Sequence, residues 1–179
     1  MLSPATTGLV LVDIQGKLAT FMHERDSLYR SLQILVQGAR ILELPIFWLE
    51  QYPQGLGPTI PEVAELLPGQ RPLAKLCFSG CGLPEFLQQL HDSGRRALLV
   101  AGIEAHICVY QTVRDLLGYG YHVEVVTDAV SSRTAENRRT GLERMAAQGA
   151  RLTSVEMCLF ELLRQAGSPQ FRQIVQLVK

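Results

Sequence analysis

The sequence has no surplus of charge of either sign: 17 Lys and Arg residues are matched by 17 Asp and Glu. A chain so balanced offers no excess of positive charge to neutralise phosphates, which argues against nucleic acid and anionic membrane surfaces as partners. Long hydrophobic runs are missing as well. No apolar stretch approaches the ~20 residues needed to span a bilayer. The N-terminal MLSPATTGLVLVDIQ has no basic segment ahead of its apolar run, so it does not read as a secretory signal. Cysteine is sparse, at four residues (Cys77, Cys81, Cys108 and Cys158), in a chain too large to need disulfide staples. Repeats, linkers and low-complexity segments are absent. Together these absences describe a reduced, cytoplasmic protein with free thiols. Its 47% apolar and 19% charged residues suit a packed core rather than a disordered chain.

What is present is an alternation of short apolar runs with helical patterns. Gly8–Val12, Pro45–Leu49, Arg96–Ala101 and Tyr121–Thr127 read as strands, and Ala150–Thr153 as a last one. The first and third of these runs are continuously apolar, as strands buried on both faces are. Between them Leu28, Leu32, Leu35, Ala39 and Leu42 recur at helical spacing up to Pro45, and Val109, Val113, Leu116 and Leu117 share one helical face before Gly118-Tyr-Gly120. Pro84–His91 reads as a helix and Thr134 as the cap of another; Arg71–Phe78 is ambiguous, with room for a short strand. Strands and helices alternating at these lengths imply β-α-β units. The fold class expected is α/β: a three-layer α/β/α sandwich over residues 1–179, one domain, with a mostly parallel, Rossmann-like sheet of about six strands.

In open α/β sheets ligands collect beyond the carboxyl ends of the strands. Three reactive residues fall there. Asp13 follows the first apolar run, Lys75 lies in the ambiguous central segment, and Cys108 follows the strand ending at Ala101. Taken singly, each has an ordinary reading. An aspartate at a strand end is commonly a turn former, a lysine between Ala74 and Leu76 commonly snorkels to solvent, and a buried cysteine is commonly a small inert hydrophobe. Taken together they make chemical sense. A buried Asp13 needs a compensating cation. The first turn of a helix, with its free N–H groups and dipole, favours an anion, and a thiol placed there is expected to have a lowered pKa, roughly 3.5–7.5. The same N–H groups could stabilise the oxyanion formed when sulfur attacks a carbonyl. A carboxylate, an ammonium and a thiol supply the parts for acyl transfer.

Asp13-Ile-Gln15, Lys75 and Gly102-Ile-Glu-Ala-His-Ile-Cys108-Val resemble the isochorismatase-like, or cysteine hydrolase, superfamily, as do Val126-Thr-Asp128-Ala and Arg144-Met145. Glu50-Gln-Tyr-Pro-Gln-Gly-Leu-Gly-Pro58 and Pro72-Leu-Ala-Lys-Leu-Cys-Phe-Ser79 resemble the isochorismatase domain-containing proteins in particular. The resemblance implies Cys108 as nucleophile, Asp13 as general base and Lys75 as the stabilising cation. It also implies a non-proline cis peptide between Ile103 and Glu104, and an oxyanion hole formed by the amides of Glu104 and Cys108. Relatives commonly form dimers or larger homo-oligomers. Members that cleave nicotinamide carry an aspartate and histidines for a metal near the second strand; here that region reads Trp48-Leu-Glu-Gln-Tyr52, with no histidine between His23 and His91, so no metal or other cofactor is expected. Glu104 also departs from the small or hydroxyl residue common at that position in amidases.

Other signals are weaker. Cys77 and Cys81 lack a second ligand pair and sit beside Phe78, which suggests packing rather than a metal. His106-Ile-Cys108 lacks the remaining elements of a zinc deaminase. Gly55-Leu-Gly57 matches no phosphate-binding pattern and reads as a rigid pocket wall, with Tyr52 placed to contact substrate. Gln15, on the same side of an extended chain as Asp13, could bind substrate or orient a neighbour. Asp128 reads as structural. The function expected is a metal-independent cysteine hydrolase acting on an amide, imide or related carbonyl-type bond of a small molecule. The alternative is a silent member that binds a metabolite or a protein partner.

Overall fold

The computed structural model describes all of residues 1–179. In chain order the elements are β1 (Thr7–Val12), α1 (Gly16–Thr20), α2 (Arg25–Ile41), β2 (Ile46–Gln51), α3 (Pro53–Leu56), α4 (Pro61–Ala64), β3 (Leu73–Lys75), α5 (Pro84–Ser93), β4 (Ala97–Ile103), α6 (Tyr110–Gly118), β5 (His122–Ser131), α7 (Ala135–Ala147), β6 (Arg151–Thr153), α8 (Val155–Leu163) and α9 (Pro169–Val178). The six strands form one parallel sheet in the order β3-β2-β1-β4-β5-β6, with helices on both faces.

The central strands are buried on both faces, which is why their sequences are continuously apolar. Along β1, Leu9 and Leu11 face one core with α2 and α8, while Val10 and Val12 face the other with α5 and α6. Helix α2 buries Leu28, Leu32, Leu35, Val36 and Ala39 as one stripe. Near the C-terminus, Ile174 of α9 is fully buried in the core that α2 also faces. Thr134 caps α7 as its sequence suggests, accepting from Asn137 N at 3.2 Å.

One point left open by the sequence is settled and one local difference has a physical cause. The ambiguous segment contains a three-residue strand, β3, too short to show a period of its own. Strand β5 runs four residues past Thr127 to Ser131, because a register irregularity between Val100 and Gly102 lets it resume pairing, with Val130 opposite Gly102 and Ser131 opposite Ile103. Asp128 therefore lies within β5 rather than after it. It accepts from Val155 N at 2.9 Å and so tethers the start of α8, a structural role.

Candidate active site

The carboxyl ends of β1, β2 and β3, adjacent in the sheet, present Asp13, Gln51 and Lys75 side by side. Asp13 turns into the left-handed conformation (φ 53°) directly after Val12. Opposite Val12, Gly102 has φ 128°, and a Cβ there would lie 2.1 Å from the Val12 carbonyl oxygen. Only glycine lets β4 pass this close to β1 in this conformation, and so bring the segment leading to Cys108 beside Asp13.

Lys75 Nζ, with no exposed side-chain surface, donates to Asp13 Oδ2 at 2.7 Å, to Gln51 Oε1 at 2.8 Å, and to the carbonyls of Phe78 and Cys77 at 3.0 and 3.3 Å. A buried ammonium is costly unless paired and hydrogen-bonded, and these acceptors supply both. Asp13 is 3% exposed. Its Oδ1 is buried without a hydrogen-bond partner, and the Cys108 side chain is among the neighbours that act on this carboxyl. Burial is the largest influence and raises the Asp13 pKa; the Lys75 charge and hydrogen bond oppose it, as does Cys108, and the Glu50 charge adds to the rise.

Cys108 lies in a π-helical turn, Ala105–Val109, that runs directly into α6; such turns recur at functional sites. Its thiol corrects the sequence expectation. Burial, and then the negative charge of Asp13, push the Cys108 pKa up to about 12 against the opposing pull of Lys75. The helix start does not outweigh desolvation, and the thiol is protonated at neutral pH. A cavity of about 540 Å³ lined by residues of 16–29 and 58–62, including Arg25, Tyr29 and Glu62, touches none of Asp13, Lys75 or Cys108.

The remaining candidates are placed as follows. Gln15 is fully buried; its Nε2 donates to the carbonyls of Gln51 and Gly57, and its Oε1 accepts from Gln51 N at 2.6 Å. It thereby fixes the backbone of Gln51, whose side chain holds Lys75. Tyr52 is 51% exposed, its N donating to Lys75 O and its ring lying over Gly55. The Ile103–Glu104 peptide bond is cis. The Glu104 carboxylate is buried, and its Oε2 accepts from both the backbone N and the Nε of Arg133, at 3.0 and 3.1 Å. His106 Nδ1 meets Ser132 Oγ at 3.0 Å. Cys77 and Cys81 are free thiols, and no group of three or more His, Cys, Asp or Glu side chains is gathered as a metal would require.

Sequence reasoning missed Gln51 and Arg133. Gln51 had a usable signal, since it ends β2 as Asp13 follows β1. Arg133 had none, because its link to Glu104 spans 29 residues.

A six-stranded parallel sheet covered by helices, with an aspartate, a lysine and a cysteine gathered at its carboxyl edge, defines a three-layer α/β/α domain. Comparison with known proteins is specific about which: the model of the isochorismatase domain matches residues 7–157. Isochorismatase domain-containing protein 2 of Pongo abelii is 40% identical over 177 residues, covering 98% of this chain and 84% of that protein. Among solved structures, the MAR1 ribonuclease of Caenorhabditis elegans superposes with a TM-score of 0.93 at 35% identity, covering 99% of this chain and 91% of that one. The YcaC gene product of Escherichia coli, described as an octameric hydrolase of unknown specificity, shares the fold at a TM-score of 0.89 and 24% identity, covering 99% and 86%. The chain belongs to the isochorismatase family.

Proposed function

We propose that this protein is a metal-independent cysteine hydrolase that cleaves an amide, imide or related carbonyl-type bond of a small molecule through a Cys108 acyl-thioenzyme. The observation that carries the reading is the buried Lys75–Asp13 ion pair, 2.7 Å long, whose second carboxylate oxygen has no partner and whose charge acts on the neighbouring thiol. Buried ion pairs are weak devices for stability.

With the thiol protonated at rest, proton loss and attack are coupled. Asp13 takes the proton from Sγ as sulfur bonds to the substrate carbonyl carbon. Lys75 offsets negative charge on Asp13 and on the developing thiolate. The amides of Glu104 and Cys108 hold the oxyanion. Collapse expels the leaving group, which takes the proton from Asp13. Water then gives a proton to Asp13, attacks the thioester, and the thiol is restored with release of the acid. No resident metal takes part in this scheme, and Gln15 acts by positioning Gln51 while Tyr52 forms part of the exposed rim.

The reading extends to a homo-oligomer, supported by the octameric relative, and to a cytoplasmic protein; no helix is long and apolar enough to cross a membrane. The ribonuclease activity attached to the C. elegans relative is not carried over, because this chain has no net positive charge with which to hold a polyanion. The test is a screen of small amides, ureides and esters against the wild type and Cys108→Ala. Turnover that disappears in the variant, with an acyl adduct on Cys108 in rapidly quenched wild-type samples, supports the reading. Turnover that persists in the variant defeats the covalent route. A wild type inert to all three classes that binds small molecules unchanged favours the silent binding member, a reading for which the near closure of the thiol (8% exposed) speaks.

A further inference from the structure

Beside the thiol stands a second ion pair that the scheme above leaves unused. Its acid, Glu104, is four residues before Cys108 and 5% exposed, and its charge is among those that raise the thiol pKa. Its base, Arg133, comes from the far end of β5, where Ser131 pairs with Ile103, so both charges lie beyond the carboxyl edge of the sheet on the side of the thiol.

Arg133 is held with unusual care for a surface arginine. Before it, Ser132 is fully buried; its carbonyl accepts from His23 N at 2.8 Å, and its hydroxyl meets His106 Nδ1. The hydroxyl of Ser131 donates to the His23 carbonyl at 2.7 Å. After it, Thr134 caps α7. One carboxylate oxygen of Glu104 then takes both its backbone N and its Nε. The two terminal guanidinium nitrogens form no hydrogen bond to protein, and the side chain is 55% exposed. Arg138, close by in α7, is the contrast: its Nε and Nη2 donate to the carbonyls of Val130 and Thr127, so it is spent on structure. In Arg133 the edge of the guanidinium left open is the one that matches a carboxylate with two parallel N–H donors.

We propose that Arg133, clamped by Glu104, is the specificity-determining receptor for a carboxylate on the substrate, so that the site selects amides or ureides of acids over neutral amides. The inference rests on the hydrolase reading for its meaning in catalysis, but the receptor itself is testable without turnover. Asp13 and Glu104 both raise the thiol pKa by their charge, and Lys75, the cation that opposes them there, is fully buried. The exposed guanidinium of Arg133 is the cation that an incoming anion would meet.

The experiment compares alkylation of Cys108 by iodoacetate, an anion, with alkylation by iodoacetamide, its neutral analogue, at pH 9, by peptide mass mapping. Free glutathione sets the intrinsic ratio of the two reagents. The expected result is an iodoacetate-to-iodoacetamide ratio at Cys108 that exceeds the glutathione ratio and falls about tenfold in Arg133→Gln, the scale of a charge-assisted bidentate contact, while the iodoacetamide rate changes by less than about twofold. Arg133→Lys retains part of the preference as a point charge. A second measurement uses only the wild type, so that a variant that fails to fold leaves the question answerable: propionate, and not propionamide at equal concentration, slows labelling of Cys108 by iodoacetamide. An unchanged ratio in a folded Arg133→Gln, or protection that is equal for the two or absent for both, overturns the receptor. Charge-selective labelling in a protein that hydrolyses nothing would uphold the receptor and sink the hydrolase.

Discussion

Cys108 and Cys158 lie on opposite faces of one sheet, in its two separate cores. Both are buried, at 8% and 0% exposure, and burial is the main reason that both thiols are pushed up to about 12. By acidity they are twins. Their second neighbours separate them. Cys158 Sγ donates to Val155 O at 3.3 Å among leucines and valines, with the carboxylates of Asp128 and Glu124 as more distant charges. Cys108 has a carboxylate with an unpartnered oxygen, and that carboxylate is itself held by an ammonium. Resting pKa does not mark a nucleophile here; an adjacent, compensated base does.

The sharpest way to break this comparison is to delete each sulfur. Cys108→Ala is expected to lower turnover by about a thousandfold or more, as loss of a covalent nucleophile does, with little change in folding stability. Cys158→Ala is expected to keep turnover within about twofold and to cost about 1 kcal/mol of stability, for lost packing in a closed core. Steady-state rates and urea unfolding on both variants read this out. Equal loss of activity in the two would mean that Cys108 matters only as packing.

The next largest effect concerns the cation. Lys75→Met leaves Asp13 buried with no compensating charge, which for a broken buried pair costs about 3–5 kcal/mol. Asp13 then protonates and is lost as a base, so activity and stability fall together. No charge around Cys158 has this linkage. A variant that unfolds at the wild-type urea midpoint would show that the ion pair is not held as described.

Much of this layout was legible in the sequence, for reasons that also explain what was not. Strands buried on both faces write themselves as continuous apolar runs, so β1 and β4 were plain, and Asp13 stood out as the first charge after such a run. Strand β3, Leu-Ala-Lys, is too short to carry a period, and Lys75 was singled out only by its company. The acidity of Cys108 was misjudged because a helix start is a local feature of sequence, whereas desolvation and the charge of Asp13 arise from distant segments brought together by the sheet. Arg133 escaped for the same reason, since it matters through a partner remote in sequence, whereas Gln51 had a usable signal at the end of β2.

Removing the base instead of the cation separates acidity from catalysis. After burial, the Asp13 charge raises the Cys108 pKa, while the Lys75 charge lowers it. In Asp13→Asn the Lys75 charge is opposed only by burial and the Glu104 charge, so the pKa falls and iodoacetamide labelling of Cys108 at pH 7.5 is expected to speed up about tenfold for each unit of the fall. Turnover is expected to collapse all the same, because no group remains to move the proton. A mutant with a more reactive thiol and no activity would be strong support for coupled proton transfer. Slower labelling in Asp13→Asn would contradict it.

The smallest expected effect tests where the twins cannot be told apart. Each thiol has a folded pKa of about 12 against an ordinary value of 9.0. A group whose pKa is raised on folding stabilises the folded state fully below its unfolded pKa, and that contribution is lost as pH rises toward the folded one. Between pH 9 and 12 the unfolded chain has released the proton and the folded chain retains it, so stability falls with pH, by at most about 1.4 kcal/mol per unit for each thiol. Urea unfolding across that window is expected to show a shallower alkaline decline in Cys108→Ala and in Cys158→Ala alike. An alkaline slope unchanged in both would mean that the folded protein lets hydroxide reach the thiols, and that burial is not what holds their protons. With the slopes alike, burial dominates the acidity of both sulfurs, and it is in turnover and in the labelling of Asp13→Asn that the neighbours of Cys108 count.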